Sequence, residues 1–232
     1  MVSRWSILTI ILLFGLASFA CSKGGQPAGQ TSPALIVAST PPFKTREPET
    51  YQAVRSITFA PTNEGQSSSA AITIVKDGDR RREEDKSNGK TVVYLDLPAG
   101  SFVLLPEEKI YAEIVGPSTS SATAEGFEEG YVHTAPIQST YENLGTESLN
   151  GTTTTKYKVT VNSANNGNVT QSETLIWIDD GLGMPIKSVT RSASGTRNME
   201  LSQVKLSIDK SLLEIPKGFQ KVEMQVIQQR IR

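Results

Sequence analysis

The stretch ENLGTESLNGTTTTKYKVTV, residues 142–161, decides the fold because it has the pattern of a β-hairpin. Asn150-Gly151 stands at its centre, and these two residue types tolerate the positive φ angles of a two-residue turn. Apolar and polar residues alternate after the turn, with Tyr157, Val159 and Val161 on one face and Lys156, Lys158 and Thr160 on the other. Since strand side chains alternate between faces, this pattern predicts that Val159 is buried and Lys158 is exposed.

The same two-residue period extends in both directions from this hairpin. Further strands are predicted at residues 54–59, 71–75, 79–85, 91–97, 101–105, 109–115, 173–179, 185–191 and 199–208. Asp77-Gly78 predicts a second hairpin turn, and a slip of the apolar phase between Leu201 and Val204 predicts a β-bulge. The tail from Phe219 fits a strand and a helix equally well. About eight to eleven strands with frequent turn signals indicate a mainly antiparallel β fold with few or short helices.

The strand predicted at residues 79–85 is almost wholly charged. Its carboxylates suggest a calcium loop, but three consecutive arginines interrupt them and the regular calcium-loop spacing is absent. We interpret it as a solvated strand carrying charges of both signs, which would discourage edge-to-edge pairing.

Residues 116–136 form a long Ser/Thr-rich loop, with one weak helical turn near residues 125–129. The single histidine of the chain, His133, lies in it, and no nucleophile and carboxylate can be assigned to it. The glycines at residues 181–183 precede a strand and not a helix, so they offer no phosphate site. No catalytic residue, metal ligand or cofactor is therefore predicted, and the chain is not expected to be an enzyme.

The N-terminus has the pattern of a secretory signal. Arg4 precedes an apolar run at residues 7–16, which is about half the length of a spanning helix. Small residues then lead to Cys21, the only cysteine of the 232 residues. This arrangement resembles the lipobox of bacterial lipoproteins, which implies that the Cys21 thiol is acylated and anchors the chain to a membrane. Ordinary signal cleavage without acylation is the alternative.

These features give three segments: a signal peptide at 1–20, the lipidated cysteine with a Gly/Pro/Ser-rich tether at 21–49, and a β domain at 50–232. The formal net charge is −1, which offers no basic face for nucleic acid. The domain is long enough for one sizeable core.

Large apolar side chains on or beside the predicted strands are the candidates for a ligand cavity. A curved sheet holds a lipophilic ligand in its concave face, although ordinary core packing explains most such residues. The candidate ligand-binding residues are Tyr94, Phe102, Leu104, Tyr111, Trp177, Met184, Met199 and Leu201.

Five short motifs in order resemble the outer-membrane lipoprotein-sorting superfamily, the LolA/LolB-like fold. They lie at residues 78–81 (GDRR), 106–111 (PEEKIY), 145–151 (GTESLNG), 177–187 (WIDDGLGMPIK) and 215–219 (IPKGF). The resemblance covers about residues 50–225 and implies a strongly curved, incomplete antiparallel barrel, a half-barrel.

The resemblance implies a non-enzymatic envelope protein that binds a lipid or a lipoprotein acyl chain in the half-barrel. The alternative is a structural or interaction lipoprotein with a filled core, which uses a sheet edge or the 116–136 loop to bind a protein partner. Ser22 stands where an inner-membrane-retaining Asp would stand, which favours the periplasmic side of the outer membrane.

Overall fold

The computed structural model describes residues 35–38, 41–43, 47–86, 89–115, 138–165 and 168–231. Cys21, the predicted signal peptide, His133 and the predicted loop at residues 116–136 lie outside these residues. Thirteen strands form one sheet: β1 Leu35–Ala38, β2 Thr50–Pro61, β3 Ser68–Asp77, β4 Arg80–Asp85, β5 Val92–Leu97, β6 Gly100–Leu105, β7 Ile110–Ile114, β8 Gln138–Leu149, β9 Thr152–Asn165, β10 Asn168–Asp179, β11 Met184–Ser192, β12 Gly195–Lys205 and β13 Gln220–Lys221. A 3-10 helix, Lys210–Leu213, and an α-helix, α1 Met224–Ile231, complete the described elements.

The strand order is β1-β8-β9-β10-β11-β12-β2-β3-β4-β5-β6-β7-β13. Neighbouring strands are antiparallel, except that β13 runs parallel to β7. The sheet is not closed, so the prediction of a mainly β, curved antiparallel sheet with few or short helices is confirmed. β1 lies within the segment predicted as a tether and pairs with β8.

The hairpin at residues 142–161 forms as predicted, from β8 and β9. Leu149 pairs with Thr152, and Asn150 and Gly151 have φ angles of 52° and 83°, as a two-residue turn with two positive φ angles requires. Val159 is fully buried, whereas Lys158 reaches solvent and lies 3.5 Å from Glu173. The predicted register of this hairpin is confirmed.

Three further local predictions can be compared with the structure. The register of β12 against β2 shifts between Ser202 and Lys205, and Gln203 has a φ angle of 54°, which confirms the bulge. The tail from Phe219, whose pattern fits a strand and a helix equally well, forms both: first the strand β13 and then the helix α1. In the Asp77-Gly78 hairpin the turn lies one residue later than predicted, because Asp77 still pairs with Arg80.

Residues directly opposite each other in adjacent antiparallel strands share a face of the sheet. We call the inner face the one that carries Ala53, Ile74, Tyr94 and Val103, and the outer face the opposite one. The inner face buries one cluster around Tyr51, Ile74 and Met199, a second around Tyr141 and Ile176, and a third beneath α1.

The outer face is buried only over part of the sheet. There, Val75, Leu95 and Leu104 are covered by Leu213 of the 3-10 helix and by the chain around it. β6 is thus packed on both sides, which explains why its sequence is apolar at the consecutive positions 102–105.

Candidate functional site

An apolar groove lies between α1 and the inner face of strands β5 to β7. Its volume is about 430 Å³, within the range of roughly 300–1,000 Å³ that is usual for small-molecule sites. The lining residues are Tyr94, Val103, Glu113, Ile114, Val115, Met224, Ile227, Gln228 and Ile231. Most of these side chains are apolar, so the groove suits hydrocarbon better than a polar ligand.

The sequence of α1 explains why the helix lies there. Met224, Ile227 and Ile231 are three and four residues apart, so they project from one side of the helix. Ile227 is fully buried against the inner face, in the same cluster as Val103 and Ala112. Met224 and Ile231 are only partly buried, and all three side chains line the groove.

Backbone hydrogen bonds fix the start of the helix. The amide of Gln220 donates to the Lys109 carbonyl at 2.9 Å, and the amide of Val222 donates to the Tyr111 carbonyl at 2.8 Å. β13 therefore extends the sheet by two residues and delivers the chain to the edge of the inner face. At the other end of the helix, Arg230 Nε lies 3.4 Å from Glu108 Oε2.

The groove opens at the end of β7. Val115 is 94% exposed, and Glu113 and Lys221 form an ion pair of 2.7 Å at the rim. A second cavity of about 680 Å³ shares Glu113, Val115 and Met224 with the groove and continues past Val222. The two cavities therefore meet at Met224, and charged side chains line part of the second one.

A cluster of charged side chains is buried on the inner face beside the groove. Glu83 accepts from Arg81 Nε at 2.9 Å and from Arg55 Nη2 at 3.4 Å. Arg81 Nη1 also donates to Glu47 Oε2 at 2.7 Å, and the Tyr51 hydroxyl donates to Glu47 Oε1 at 2.8 Å. Arg55 and Glu83 are each 1% exposed. We call these five residues the inner-face charge cluster.

The environment of the cluster alters its acid–base properties. Burial lowers the pKa of Arg55, and the nearby Glu83 opposes that change only in part. Burial lowers the pKa of Arg81 as well, but the charge of Glu47 and its other partners outweigh burial and raise it overall. Burial and the charge of Glu47 raise the pKa of Tyr51, so its hydroxyl remains protonated.

The cluster corrects one sequence prediction. The charged strand β4 was expected to be solvated, but it lies between β3 and β5 and not at an edge, and Glu83 is buried. Arg55 was not singled out. The sequence does indicate that Arg55 is buried. It lies two residues after Ala53 and two before Ile57, so in β2 it falls on the face that carries the apolar side chains.

The structure separates the eight candidate ligand residues into groups. Tyr94 lines the groove. Met184, Met199 and Leu201 are buried together in the inner-face cluster around Ile74. Three others, Phe102, Leu104 and Tyr111, belong to the outer-face core with Leu213.

Trp177 stands apart from the other seven candidates. It lies opposite Lys156 and Lys187 in the neighbouring strands, on the outer face. The ammonium groups of these lysines are 4.6 Å and 5.5 Å from the centre of its ring, and its indole N–H donates to Glu147. This arrangement covers Trp177 with charged side chains and keeps it 7% exposed. Ile176, its neighbour in the strand, is buried on the inner face, as alternation requires.

Within the residues that the structure describes, no group of three or more His, Cys, Asp or Glu side chains is placed to hold a metal ion. No helix among the same residues is long and apolar enough to cross a membrane.

No protein-family model matches the chain, and no curated protein matches it. Solved structures that are similar include the lipoprotein LppX of Mycobacterium tuberculosis, with 14% identity, a TM-score of 0.41, and coverage of 68% of this chain and 88% of that one. LprF of Mycobacterium bovis has 13% identity, a TM-score of 0.42, and coverage of 72% and 89%. A LolA superfamily protein of Nitrosomonas europaea has 10% identity, a TM-score of 0.35, and coverage of 72% and 90%.

One of these three structures belongs to the superfamily that the five sequence motifs resemble. With TM-scores below 0.5 and identities of 14% or less, these similarities identify no ligand or partner.

Proposed function

We propose that this chain is a non-catalytic bacterial envelope protein, anchored by acylation of Cys21, that binds an acyl chain of a lipid or lipoprotein. The bound chain lies in the groove between α1 and strands β5 to β7. The proposed location is the periplasmic side of the outer membrane, on the grounds of the lipobox-like sequence and Ser22.

The groove is the observation that carries this proposal. It is lined mainly by apolar side chains, is open at Val115, and has a volume suited to a hydrocarbon segment. Each CH₂ group moved from water into such a site contributes about 0.8 kcal/mol. Glu113 and Lys221 form a charged rim at the opening of the groove, where a polar part of the ligand would stay in contact with water.

A second candidate is an interaction lipoprotein that binds a protein through its sheet edge. β1 is an edge strand, and its Leu35 and Ile36 are 65% and 39% exposed. An exposed apolar edge strand offers unpaired backbone groups to a partner strand. Candidate residues such as Leu104 and Met184, which are fully buried in core clusters, are also compatible with a filled core.

Titration of the delipidated chain with a fluorescent fatty acid distinguishes the two functions. We expect saturable binding that Met224→Trp weakens at least tenfold, because a larger side chain at this partly buried position fills the groove. Leu206→Trp is the matched control, since Leu206 is 60% exposed and does not line the groove. Circular dichroism should show that both variants are folded. If no probe binds to the wild-type chain, the groove is not a lipid site and the interaction function takes its place.

A further inference from the structure

Apolar side chains are exposed together at the β1 edge of the sheet. β1 is the first strand in the strand order, so within the described part of the chain no strand pairs with its outer side. Leu35 is 65% exposed and Ile36 is 39% exposed, and Leu144 on the neighbouring strand β8 is also 39% exposed. Single exposed apolar side chains are common on protein surfaces, whereas a group of them marks a contact with another surface.

The register of β1 against β8 brings these side chains together. Leu35 pairs with Glu142, and Leu144 lies two residues further along β8. Diagonal neighbours of this kind are about 7–8 Å apart in an antiparallel ladder, which is within reach of two leucine side chains. The register of β8 against β9 shifts at Leu144, so the strand bulges at this point. We call Leu35, Ile36 and Leu144 the edge patch.

The charged side chains beside the edge patch balance one another. Glu142 lies 3.8 Å from Lys158, and Glu147 lies 3.6 Å from Lys156. These pairs leave no excess of positive charge at the patch, whereas recognition of an anionic lipid surface uses clusters of unpaired lysine and arginine side chains. The interaction that this edge offers is therefore apolar contact.

The edge patch is also the first described part of the chain after the proposed anchor. Leu35 stands 14 positions after Cys21, and a chain of that length spans at most about 50 Å when fully extended. An acyl group on Cys21 would insert into a bilayer and hold β1 within that distance of it. The effective concentration of membrane surface at the patch is then high, so a contact forms that is too weak to hold the free protein.

We propose that the edge patch docks the β domain on the surface of the bilayer in which Cys21 is anchored. The contact is shallow. The three side chains enter the boundary between head groups and hydrocarbon, where water still reaches the backbone groups on the open side of β1. This inference rests on the proposed acylation of Cys21 and adds an orientation to it. It involves the opposite end of the strand order from β13, and the edge patch shares no residue with the groove.

The test uses the full acylated protein in vesicles of phosphatidylcholine. Acylation blocks the thiol of Cys21, so Thr146→Cys supplies a single free thiol for a fluorescent NBD label. Thr146 is exposed and lies two residues from Leu144, outside the edge patch. Phosphatidylcholine with a doxyl quencher near its head group should quench this label. The same label on Leu206→Cys, at a site that is 60% exposed and distant from β1 in the strand order, should be quenched at least twofold less.

A double variant then assigns the contact to the edge patch. Leu35→Thr with Leu144→Thr removes the apolar side chains but keeps residues that favour strands, so β1 should stay paired. Quenching of the label at residue 146 should fall at least twofold. Leu206→Thr is the matched control and should leave it unchanged, because Leu206 is equally exposed but outside the patch. Adding phosphatidylglycerol to the vesicles should also leave it unchanged, since the neighbouring charges are balanced.

Equal quenching at residues 146 and 206, or quenching that the double variant retains, would overturn this inference and leave the proposed anchor intact. A requirement for phosphatidylglycerol would overturn it as well, because the contact would then be electrostatic. Emission that changes with the density of the protein and not with the quencher would assign the edge patch to a second copy of the chain. If Cys21 itself reacts with the label, or the protein does not stay with the vesicles, the proposed acylation fails.

Discussion

Glu83 and Arg55 are the two most deeply buried charged residues in the described part of the chain, and their side chains meet at 3.4 Å across strand β3. The pair is unequal. Glu83 has a second, closer partner in Arg81 at 2.9 Å, whereas Glu83 is the partner that the structure shows for Arg55. Removing the carboxylate therefore affects the cluster more than removing the guanidinium.

This inequality predicts that substitutions of the two residues destabilise the protein to different extents. Glu83→Gln leaves Arg55 buried without a counter-charge and should destabilise the ligand-free protein by about 3–5 kcal/mol. Arg55→Met also leaves one charge of the cluster unbalanced, but Glu83 keeps Arg81 as a partner at 2.9 Å, so the loss should be smaller, about 1–3 kcal/mol. Chemical denaturation of both variants measures the difference. Equal losses would show that Arg55 is fully satisfied in the protein.

The hairpin register predicts a second contrast. Val159→Asp places an unpaired charge at a fully buried position of β9 and should cost several kcal/mol. Lys158→Gln removes only half-exposed ion pairs and should change stability by no more than about 1 kcal/mol. Thermal unfolding followed by circular dichroism compares the two, and similar midpoints would mean that the assigned faces are wrong.

Trp177 reports on Glu147 and its pH dependence. The hydrogen bond from the Trp177 indole, followed by the charge of Lys156, lowers the pKa of the Glu147 carboxyl below its ordinary value of 4.5. The bond is therefore present at neutral pH, and its contribution is lost as the pH falls through the lowered pKa.

In a chain carrying Trp5→Phe, the change in Trp177 emission should have its midpoint below pH 4.5. In Glu147→Gln that step should be absent. A transition centred above pH 4.5 would contradict the hydrogen bond between Trp177 and Glu147.

Because Trp177 lies on the outer face, away from the groove, a bound fatty acid should leave its emission unchanged.

The proposed anchor is tested by Cys21→Ser. The lone cysteine follows the apolar run directly, so its loss should abolish acylation and move the protein into the soluble envelope fraction. Metabolic labelling with a fatty acid and membrane fractionation provide the measurement. Unchanged labelling or continued membrane association would reject acylation at Cys21.

Local pattern was sufficient for much of the fold. The turn at Asn150-Gly151 and the bulge at Gln203 were predictable, because each depends on a few adjacent residues. Strand order was not, since it depends on which distant strands pair. Without it, the charges of β4 predict a solvated strand, whereas β4 lies inside the sheet between β3 and β5.

The groove and the inner-face charge cluster could not be predicted without the strand order. Tyr94 could be proposed from its size and strand position, but the helix that forms the other wall of its groove comes from a tail whose pattern fitted two structures. Arg55 becomes informative only when Glu83 is known to lie across β3 from it. Trp177 and Tyr94 looked equivalent in the sequence, yet they are on opposite faces.

The pairing of β12 with β2 has a consequence for how the chain reaches this structure. Asn198 bonds to Thr58 across 140 positions of sequence, whereas β2 to β7 and β8 to β12 each form from neighbouring hairpins. Closing so long a loop carries the greater entropic cost and slows folding. Each meander is therefore expected to assemble first, with the β12–β2 seam forming last. Until that seam forms, two long strand edges are open, and the chain is most susceptible to aggregation and proteolysis during that interval.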